Sequence, residues 1–198
     1  MMDRLPENPL ILFNNWMEQA KEQELNDPEA MALATCTKSG HPSVRIVLLK
    51  SFDEKGFKFH SNAESQKGQE IAENVLAALC FHWKSLRKQV RIEGHIEMAS
   101  QKEADEYFVG RPYMRKIGAH ASAQSRPLDS REFLEQKLEE LKKLYPEGSD
   151  VPRPDYWVGY LVVPEKIEFW WDNPDRLHDR IVYTKDNQAN WNQQRLYP

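Results

Sequence analysis

No stretch of this sequence approaches the ~20 consecutive apolar residues that a membrane helix requires, so a helical membrane span is excluded and no membrane partner is expected. The amino terminus, Met1-Met2-Asp3-Arg4-Leu5-Pro6-Glu7-Asn8-Pro9, lacks the basic start and apolar run of a secretion signal, which predicts a cytoplasmic protein. Cysteine is scarce. Cys36 and Cys80 each sit in an apolar, strand-like run without a second Cys or His at zinc-ligand spacing, so both read as buried thiols. His41, His60, His82, His95, His120 and His178 are scattered, with no H-E-x-x-H and no i, i+4 pair, and no metal site is expected. Basic charge is not in excess: 27 Lys and Arg stand against 31 Asp and Glu, which is the wrong field for a general nucleic-acid binder. Any phosphate site must therefore be a local cluster. No G-x-G-x-x-G follows a strand, no G-x-x-x-x-G-K-[ST] occurs, and Gly40-His41-Pro42-Ser43 lacks the G-x-S-x-G elbow. Rossmann, P-loop and serine-hydrolase chemistry are thereby disfavoured.

What is present has the composition of a globular chain, 40% hydrophobic and 29% charged, and its 198 residues suit one domain with a real core. Over residues 7–24 the apolar positions Leu10, Leu12, Phe13, Trp16, Met17 and Ala20 recur at helical spacing, with Glu18, Lys21 and Glu22 opposite them. That pattern predicts a docking helix. From Met31 the texture becomes short β-rich runs between turn signals: MALATCT, VRIVLLKSF, FKFHS, LAALCFHW and KQVRIEGHIEMA, with a short helix expected at 65–73. Ser100-Gln101-Lys102-Glu103 has the form of a capping box, so a helix should start there and run toward Arg111, ending at Pro112. A further helix is expected from Ser130 to Leu144 on the stripe Phe133, Leu134, Leu138, Leu141 and Leu144, making a helical insertion over about residues 100–145. The proline-rich segment 145–155 reads as a surface connection. The tail returns to β texture with WVGYLVVP, KIEFWW and RIVYTKD. The expectation is a mainly β fold with flanking helices: one domain over 1–198, an antiparallel barrel whose terminal strands close on its first ones.

Arg and Lys beside aromatics suit a planar, phosphorylated ligand. If residues 176–180 are extended, Arg176, His178 and Arg180 share one face while Leu177 and Asp179 point the other way. Neighbours in that row would stand ~7 Å apart and repel one another unless something anionic lay across them. The row fits a binding face or a solvated strand face, and spacing alone does not choose.

The words RIVLLK (45–50), QVRIEG (89–94), YF-x-x-RP (107–112), IGA-x-AS-x-QS (117–125), IEFW (167–170) and RLHDR (176–180) occur here in this order. In order and spacing they resemble the pyridoxamine 5'-phosphate oxidase family, over about residues 7–198. The resemblance implies an FMN-binding split β-barrel that forms a homodimer with two FMN molecules at the subunit interface. It also implies oxidation of the B6 vitamers pyridoxamine 5'-phosphate and pyridoxine 5'-phosphate to pyridoxal 5'-phosphate, with O2 as electron acceptor and H2O2 as product. Carried over by position, Arg45, Ile46, Val47, Leu48, Leu49 and Lys50 resemble the FMN-binding strand, with Lys50 also reaching substrate. His60, Ser61, Gln66 and Lys67 resemble the flavin-phosphate region, and Gln89, Gln124, Ser125, Trp170 and Arg180 resemble further flavin contacts. Tyr107 and Arg111 resemble holders of the substrate phosphate, four residues apart and on one face of the expected helix. Arg176 and His178 resemble the catalytic pair flanking the substrate ring, with His178 suited either to proton handling or to orientation.

Departures from the family pattern are equally specific. Gln66 stands where an arginine is usual, and a neutral amide gives no charge-assisted bidentate contact, which predicts weaker FMN retention. Arg115 stands where a serine is usual and either adds a phosphate contact or crowds the pocket; His120 replaces a tryptophan as a packed or a functional residue. The family's amino-terminal extension has no counterpart in the sequence, which predicts a reduced lid. Arg45 and Lys50 have opposite parity in a straight strand, so a bulge or the second subunit is needed to bring both to one ligand. Two other functions stay open: a split-barrel FMN oxidase of the phenazine-biosynthesis type, and a non-catalytic flavin- or pyridoxal-phosphate-binding protein.

Overall fold

The computed structural model describes residues 5–198; residues 1–4, the start of the amino-terminal segment read above, lie outside them. In chain order the elements are α1 (Pro9–Gln23), β1 (Ala30–Cys36), β2 (Pro42–Leu48), β3 (Ser51–Asp53), β4 (Gly56–Asn62), α2 (Gln66–Glu73), β5 (Leu76–Trp83) and β6 (Lys88–Met98). They continue with α3 (Gln101–Val109), α4 (Tyr113–Ala121), α5 (Arg131–Leu144), β7 (Trp157–Trp171), a 3-10 turn (Pro174–Arg176), β8 (Asp179–Lys185) and β9 (Trp191–Leu196). Among the described residues no helix is long and apolar enough to cross a membrane.

One antiparallel sheet runs β2-β1-β5-β6-β7-β4-β3, with β8 on β7 and β9 on β8. β2 and β3 lie at opposite ends of this path yet are separated in the chain only by Leu49 and Lys50. The run that reads as a single strand is therefore broken at these two residues. Leu49 N–H donates to the Glu29 carbonyl (2.9 Å) and Lys50 N–H to the Lys58 carbonyl (2.8 Å), so consecutive amides are satisfied by opposite neighbours. That break closes the barrel. The closure differs from the one expected, because β8 and β9 do not return to β1 and β2. β7 is 15 residues long, and β4 covers only its first half; β8 occupies the rest of that edge.

The sequence divides β7 at Pro164, but the strand passes through. Pro164 sits opposite Gly94 at a register shift in the β6–β7 ladder, where a missing N–H is tolerated. A Cβ on Gly94 would come within 2.0 Å of the Val163 carbonyl oxygen, so only glycine fits there.

α1 forms as expected, with Asn8 capping Leu10 N–H at 2.9 Å and Pro9 in the first turn. Its Leu12, Phe13, Trp16 and Met17 are buried in the core, each contributing roughly 1.5–3 kcal/mol. Phe13 meets Phe52, Phe57 and Phe81 edge-on at 4.8, 5.0 and 5.1 Å, and Trp16 meets Phe169 at 5.2 Å, fastening the helix to the barrel.

The capping box at Ser100 forms with both reciprocal bonds. Pro112 ends α3 but also starts α4, a helix the sequence did not announce because it has no side-chain cap and carries Gly118 inside. α5 spans the expected residues, yet its stripe is only partly covered, and Phe133 and Leu144 are exposed. Cys36 and Cys80 are free thiols and half-buried rather than buried.

Candidate active site

β2 is the strand at one end of the hydrogen-bonded path, with α2 and the α3–α4 corner nearby. A cavity of about 910 Å³ opens there, lined by residues 43–48 of β2, by Lys50, by the end of β4, by the start of α2 and by the α3–α4 corner. Val44, Ile46 and Leu48 expose apolar side chains along it. Of the strand residues singled out from sequence, Arg45, Ile46, Val47, Leu48 and Lys50 line the cavity, whereas Leu49 is buried in the core. The break after Leu48 resolves the parity problem within one protomer, without a bulge.

One end of the cavity is organised by a residue that the sequence reading missed. Glu70 of α2 is buried and accepts hydrogen bonds from Thr35 (2.5 Å), Ser43 (2.6 Å), Arg45 (3.1 Å) and Gln66 (2.9 Å). Burial alone would raise its pKa, but the bonds from Ser43, Thr35, Gln66 and Arg45 outweigh this and hold it at about 2. The ionised carboxylate fixes Arg45, whose guanidinium also bonds Ser43 and Thr35, each at 2.5 Å. Glu70 is four residues after Gln66 on one helix face, a spacing that would have revealed the pairing.

Lys67 enters the same end from the first turn of α2, donating to Ser65 (3.0 Å) and to Gln124 (2.8 Å). Burial, reinforced by Arg45, lowers its pKa to about 8. A Cβ on Gly68 would lie 2.1 Å from the Ala63 carbonyl oxygen, so the helix start is pressed against the preceding loop. With Ser61, Gln124 and Ser125 also on the wall, this end is a cationic cradle at a helix N-terminus, the arrangement that binds phosphate.

The other end is aromatic and cationic. The His60 ring lies parallel to Tyr107 (4.0 Å, 10° between planes) and to Trp157 (4.9 Å, 5°), which are themselves 5.9 Å apart, so the three rings form one parallel cluster. The Arg111 guanidinium lies 4.6 Å from the Trp157 ring centre and donates to the Arg115 carbonyl at 3.1 Å. Burial, then the charges of Lys58, Arg111 and Lys50, lowers the His60 pKa to about 4, leaving a neutral imidazole. Both His60 ring nitrogens and Arg111 Nε are buried without a hydrogen-bond partner. Such atoms cost about 1–3 kcal/mol each unless a ligand or water meets them. Tyr107, Arg111, Arg115 and Lys50 all line this cavity. The helix expected to place Tyr107 and Arg111 on one face stops at Val109, and a turn with Arg111 N–H on the Phe108 carbonyl (3.1 Å) delivers Arg111 instead. His120 lies outside the cavity and bonds the Pro152 carbonyl at 2.7 Å, a packing role.

Gln89, Trp170, Arg176, His178 and Arg180 do not line this cavity. They form a second group, with Gln89, Trp170 and Arg180 in one row across β6, β7 and β8 and the His178 ring 4.7 Å from Trp170. Arg180 is held by the buried carboxylate of Glu168 (2.9 Å from Nε), which also pairs with Arg91.

The row that an extended 176–180 would have made is not formed. Asp175 and Arg176 have φ of 57° and 61°, the 3-10 turn ends at Arg176, and β8 begins only at Asp179. The cause is the turn chemistry of Asn173-Pro174-Asp175: Asn173 Nδ2 donates to the Leu177 carbonyl (3.3 Å) and to Asp179 (2.6 Å), folding the segment back.

Comparison with known proteins identifies the relatives of this chain. Residues 17–145 match the family model described as "Pyridoxamine 5'-phosphate oxidase", and residues 157–198 match "Pyridoxine 5'-phosphate oxidase C-terminal dimerisation region". The chain is 53% identical over 194 residues to a pyridoxine/pyridoxamine 5'-phosphate oxidase of Gluconobacter oxydans, covering 98% of this chain and 96% of the relative. It is 51% identical over 191 residues to the enzyme of the same name from Rhizobium meliloti, covering 96% and 92%. Among solved structures, PhzG from Burkholderia lata, in complex with tetrahydrophenazine-1-carboxylic acid, superposes with a TM-score of 0.93 at 34% identity, over 99% of this chain and 95% of that one. An FMN-binding protein from Nostoc punctiforme shares the fold, with a TM-score of 0.76 at 17% identity over the whole of both chains. With family models covering nearly all of the split barrel and relatives half identical along its length, the chain belongs to the pyridoxamine 5'-phosphate oxidase family.

Proposed function

We propose that this protein oxidises pyridoxamine 5'-phosphate and pyridoxine 5'-phosphate to pyridoxal 5'-phosphate, using FMN, with O2 as electron acceptor and H2O2 as product. It works as a single-domain chain in a cytoplasmic homodimer. The observation that carries this reading is the cavity with two separate cationic ends joined by an apolar strand face, in a chain half identical to enzymes named for that reaction.

The residues present fit FMN. The cavity lies within the ~300–1,000 Å³ range of small-molecule sites, its cradle supplies a phosphate end, and the strand supplies a flat apolar wall. Arg45, Ser61, Gln66, Lys67, Gln124 and Ser125 would hold the flavin phosphate and chain. Ile46, Val47 and Leu48 would hold the ring, with Leu49 contributing backbone only. His60 stands between the two ends and lines the cavity. FMN, when bound, supplies the electron-accepting chemistry, which side chains do not.

At the far end Lys50, Tyr107, Arg111 and Arg115 would hold the substrate phosphate, so that both phosphates are anchored and the ring between them is oriented. In this reading Arg115 is an added phosphate contact. Gln89, Trp170, Arg176, His178 and Arg180 stand in or next to the part of the chain that matches a dimerisation region, and would complete the cavity of the second copy. There Arg176 and His178 flank the substrate ring and His178 handles the proton lost from it.

The test is to purify the protein, titrate it with FMN, and assay peroxide release with pyridoxamine 5'-phosphate, pyridoxine 5'-phosphate and a reduced phenazine carboxylate. Turnover of the two B6 phosphates is expected. Flavin binding with turnover of the phenazine alone would move the protein to the reading suggested by its likeness to PhzG, and flavin binding with no turnover would make it a carrier.

A further inference from the structure

The sheet face that carries Gln89, Trp170 and Arg180 holds one buried carboxylate. Side chains alternate along a strand, so Glu168 shares the face of Trp170 on β7, opposite Arg91 on β6 and diagonal to Arg180 on β8. Glu168 is 3% exposed, although the side chains of Arg91 and Arg180 beside it are 43% and 27% exposed. Each of its oxygens takes one arginine. Oε2 accepts from Arg91 Nη2, and Oε1 accepts from Arg180 Nε at 2.9 Å, with Arg180 Nη2 2.8 Å from the same oxygen. The Arg180 guanidinium is held from a second side by the carbonyl of Tyr197, just past β9, which accepts from Nη1 at 3.1 Å.

Stability does not explain this arrangement by itself. Taking a carboxylate out of water costs several kcal/mol, and a buried ion pair is often no more stabilising than apolar side chains of the same volume. What the pair does supply is direction. A guanidinium is a planar fork of N–H donors on a long side chain, and contacts on two of its three nitrogens fix both its position and its plane. With Nε on Glu168 and Nη1 on Tyr197, Arg180 keeps Nη2, which donates no hydrogen bond among the described residues, for a partner outside the sheet. An unanchored arginine would lose rotamer freedom on meeting a ligand and would bind it less tightly.

We propose that Glu168 is a positioning residue for flavin binding: it aims the Arg180 guanidinium at the FMN held by the second copy's cavity. The inference rests on the reading of Arg180 as a flavin contact across the dimer. Arg91 offsets the charge that the carboxylate would otherwise bring toward an anionic cofactor, since two guanidiniums against one carboxylate leave the cluster cationic. Glu168 itself lies beneath the two arginines, so its effect on FMN must pass through Arg180.

The experiment is a double-mutant cycle on FMN affinity. The unaltered protein, Glu168→Gln, Arg180→Ala and the double variant are each titrated with FMN as the dimer, and binding is read by quenching of flavin fluorescence. Glu168→Gln removes the charge at nearly constant shape, and FMN should bind about tenfold more weakly. In the Arg180→Ala background the same substitution should change affinity by less than about twofold, because the group it acts through is gone. If Glu168→Gln does not fold, Glu168→Asp carries the cycle: it keeps the charge but draws the oxygen back from Arg180, and the same weakening and the same loss of effect without Arg180 are expected. Unchanged or tighter FMN binding in the Glu168 variant, beside weakened binding in Arg180→Ala, would overturn the inference and leave the proposed function standing. A loss from the Glu168 substitution that is undiminished without Arg180 would also overturn it, since the carboxylate would then act on the fold and not through the arginine. Unchanged affinity in Arg180→Ala would remove the flavin contact on which the inference rests, a result separate from the peroxide assay that tests the B6 reaction.

Discussion

Glu70 offers the sharpest energetic test of the site, because the network around it can be probed without any ligand. Its carboxylate is buried, accepts four hydrogen bonds and is held at a pKa of about 2 against an ordinary 4.5. At about 1.36 kcal/mol per unit, that difference is worth on the order of 3 kcal/mol of folding stability. The figure agrees with the ~3–5 kcal/mol expected when one partner of a buried ion pair is removed, here leaving Arg45 without its carboxylate. Glu70→Gln keeps the shape and removes the charge, so urea unfolding at neutral pH should show a loss of about 3 kcal/mol. The pH dependence fixes the cause. Because the folded-state pKa is depressed, the contribution is complete above the unfolded value of about 4.5 and disappears as pH falls toward about 2. One unit below the unfolded value, near pH 3.5, about 1.4 kcal/mol of the difference between the two proteins should be gone. A difference below about 1 kcal/mol at neutral pH, or one that stays constant on acidification, would refute the charge-network account.

Three further outcomes follow from the same geometry. Gln66→Arg adds a charge-assisted donor at the phosphate end, and a fluorescence-quenching titration should show FMN bound roughly tenfold more tightly, about 1.4 kcal/mol; unchanged affinity contradicts it. The His60 ring should titrate near 4 by NMR. Its pKa is lowered on folding, so protons bind the unfolded chain better and stability should fall as pH drops from about 6.5 toward 4; an ordinary midpoint near 6.5 would contradict the buried, stacked environment. Gly68→Ala should lower the melting temperature, losing about 2–3 kcal/mol although alanine is the better helix former, because its Cβ would meet the Ala63 carbonyl at 2.1 Å; a gain in stability would show that the loop yields.

Much of this site is legible in the sequence, and the exceptions have physical causes. α1, α3 and α5 were readable because caps and apolar periodicity are local signals, as Asn8, Ser100 and Ser130 show. Barrel closure was not, because it depends on which neighbours satisfy the amides of Leu49 and Lys50, a tertiary choice. Arg45, Lys50, His60, Lys67, Tyr107, Arg111 and Arg115, singled out in the sequence, line one cavity. Glu70 escaped notice because a carboxylate near an expected phosphate looks unfavourable until its role in fixing Arg45 is seen. The Arg176–Arg180 segment misled for the opposite reason: alternation predicts a strand face, while Asn173 and Asp179 hydrogen-bond it into a turn. What that turn presents is a histidine beside Trp170 rather than a row of cations.

Whether this cavity joins FMN to a B6 phosphate for electron transfer is decided by anaerobic mixing of the FMN-loaded protein with pyridoxamine 5'-phosphate while the oxidised-flavin absorbance is followed. Bleaching of that band is expected, at a rate that saturates with substrate and is lost in Arg111→Ala, and the band should return when O2 is admitted. A flavin that binds stoichiometrically and stays oxidised through this mixing would contradict it.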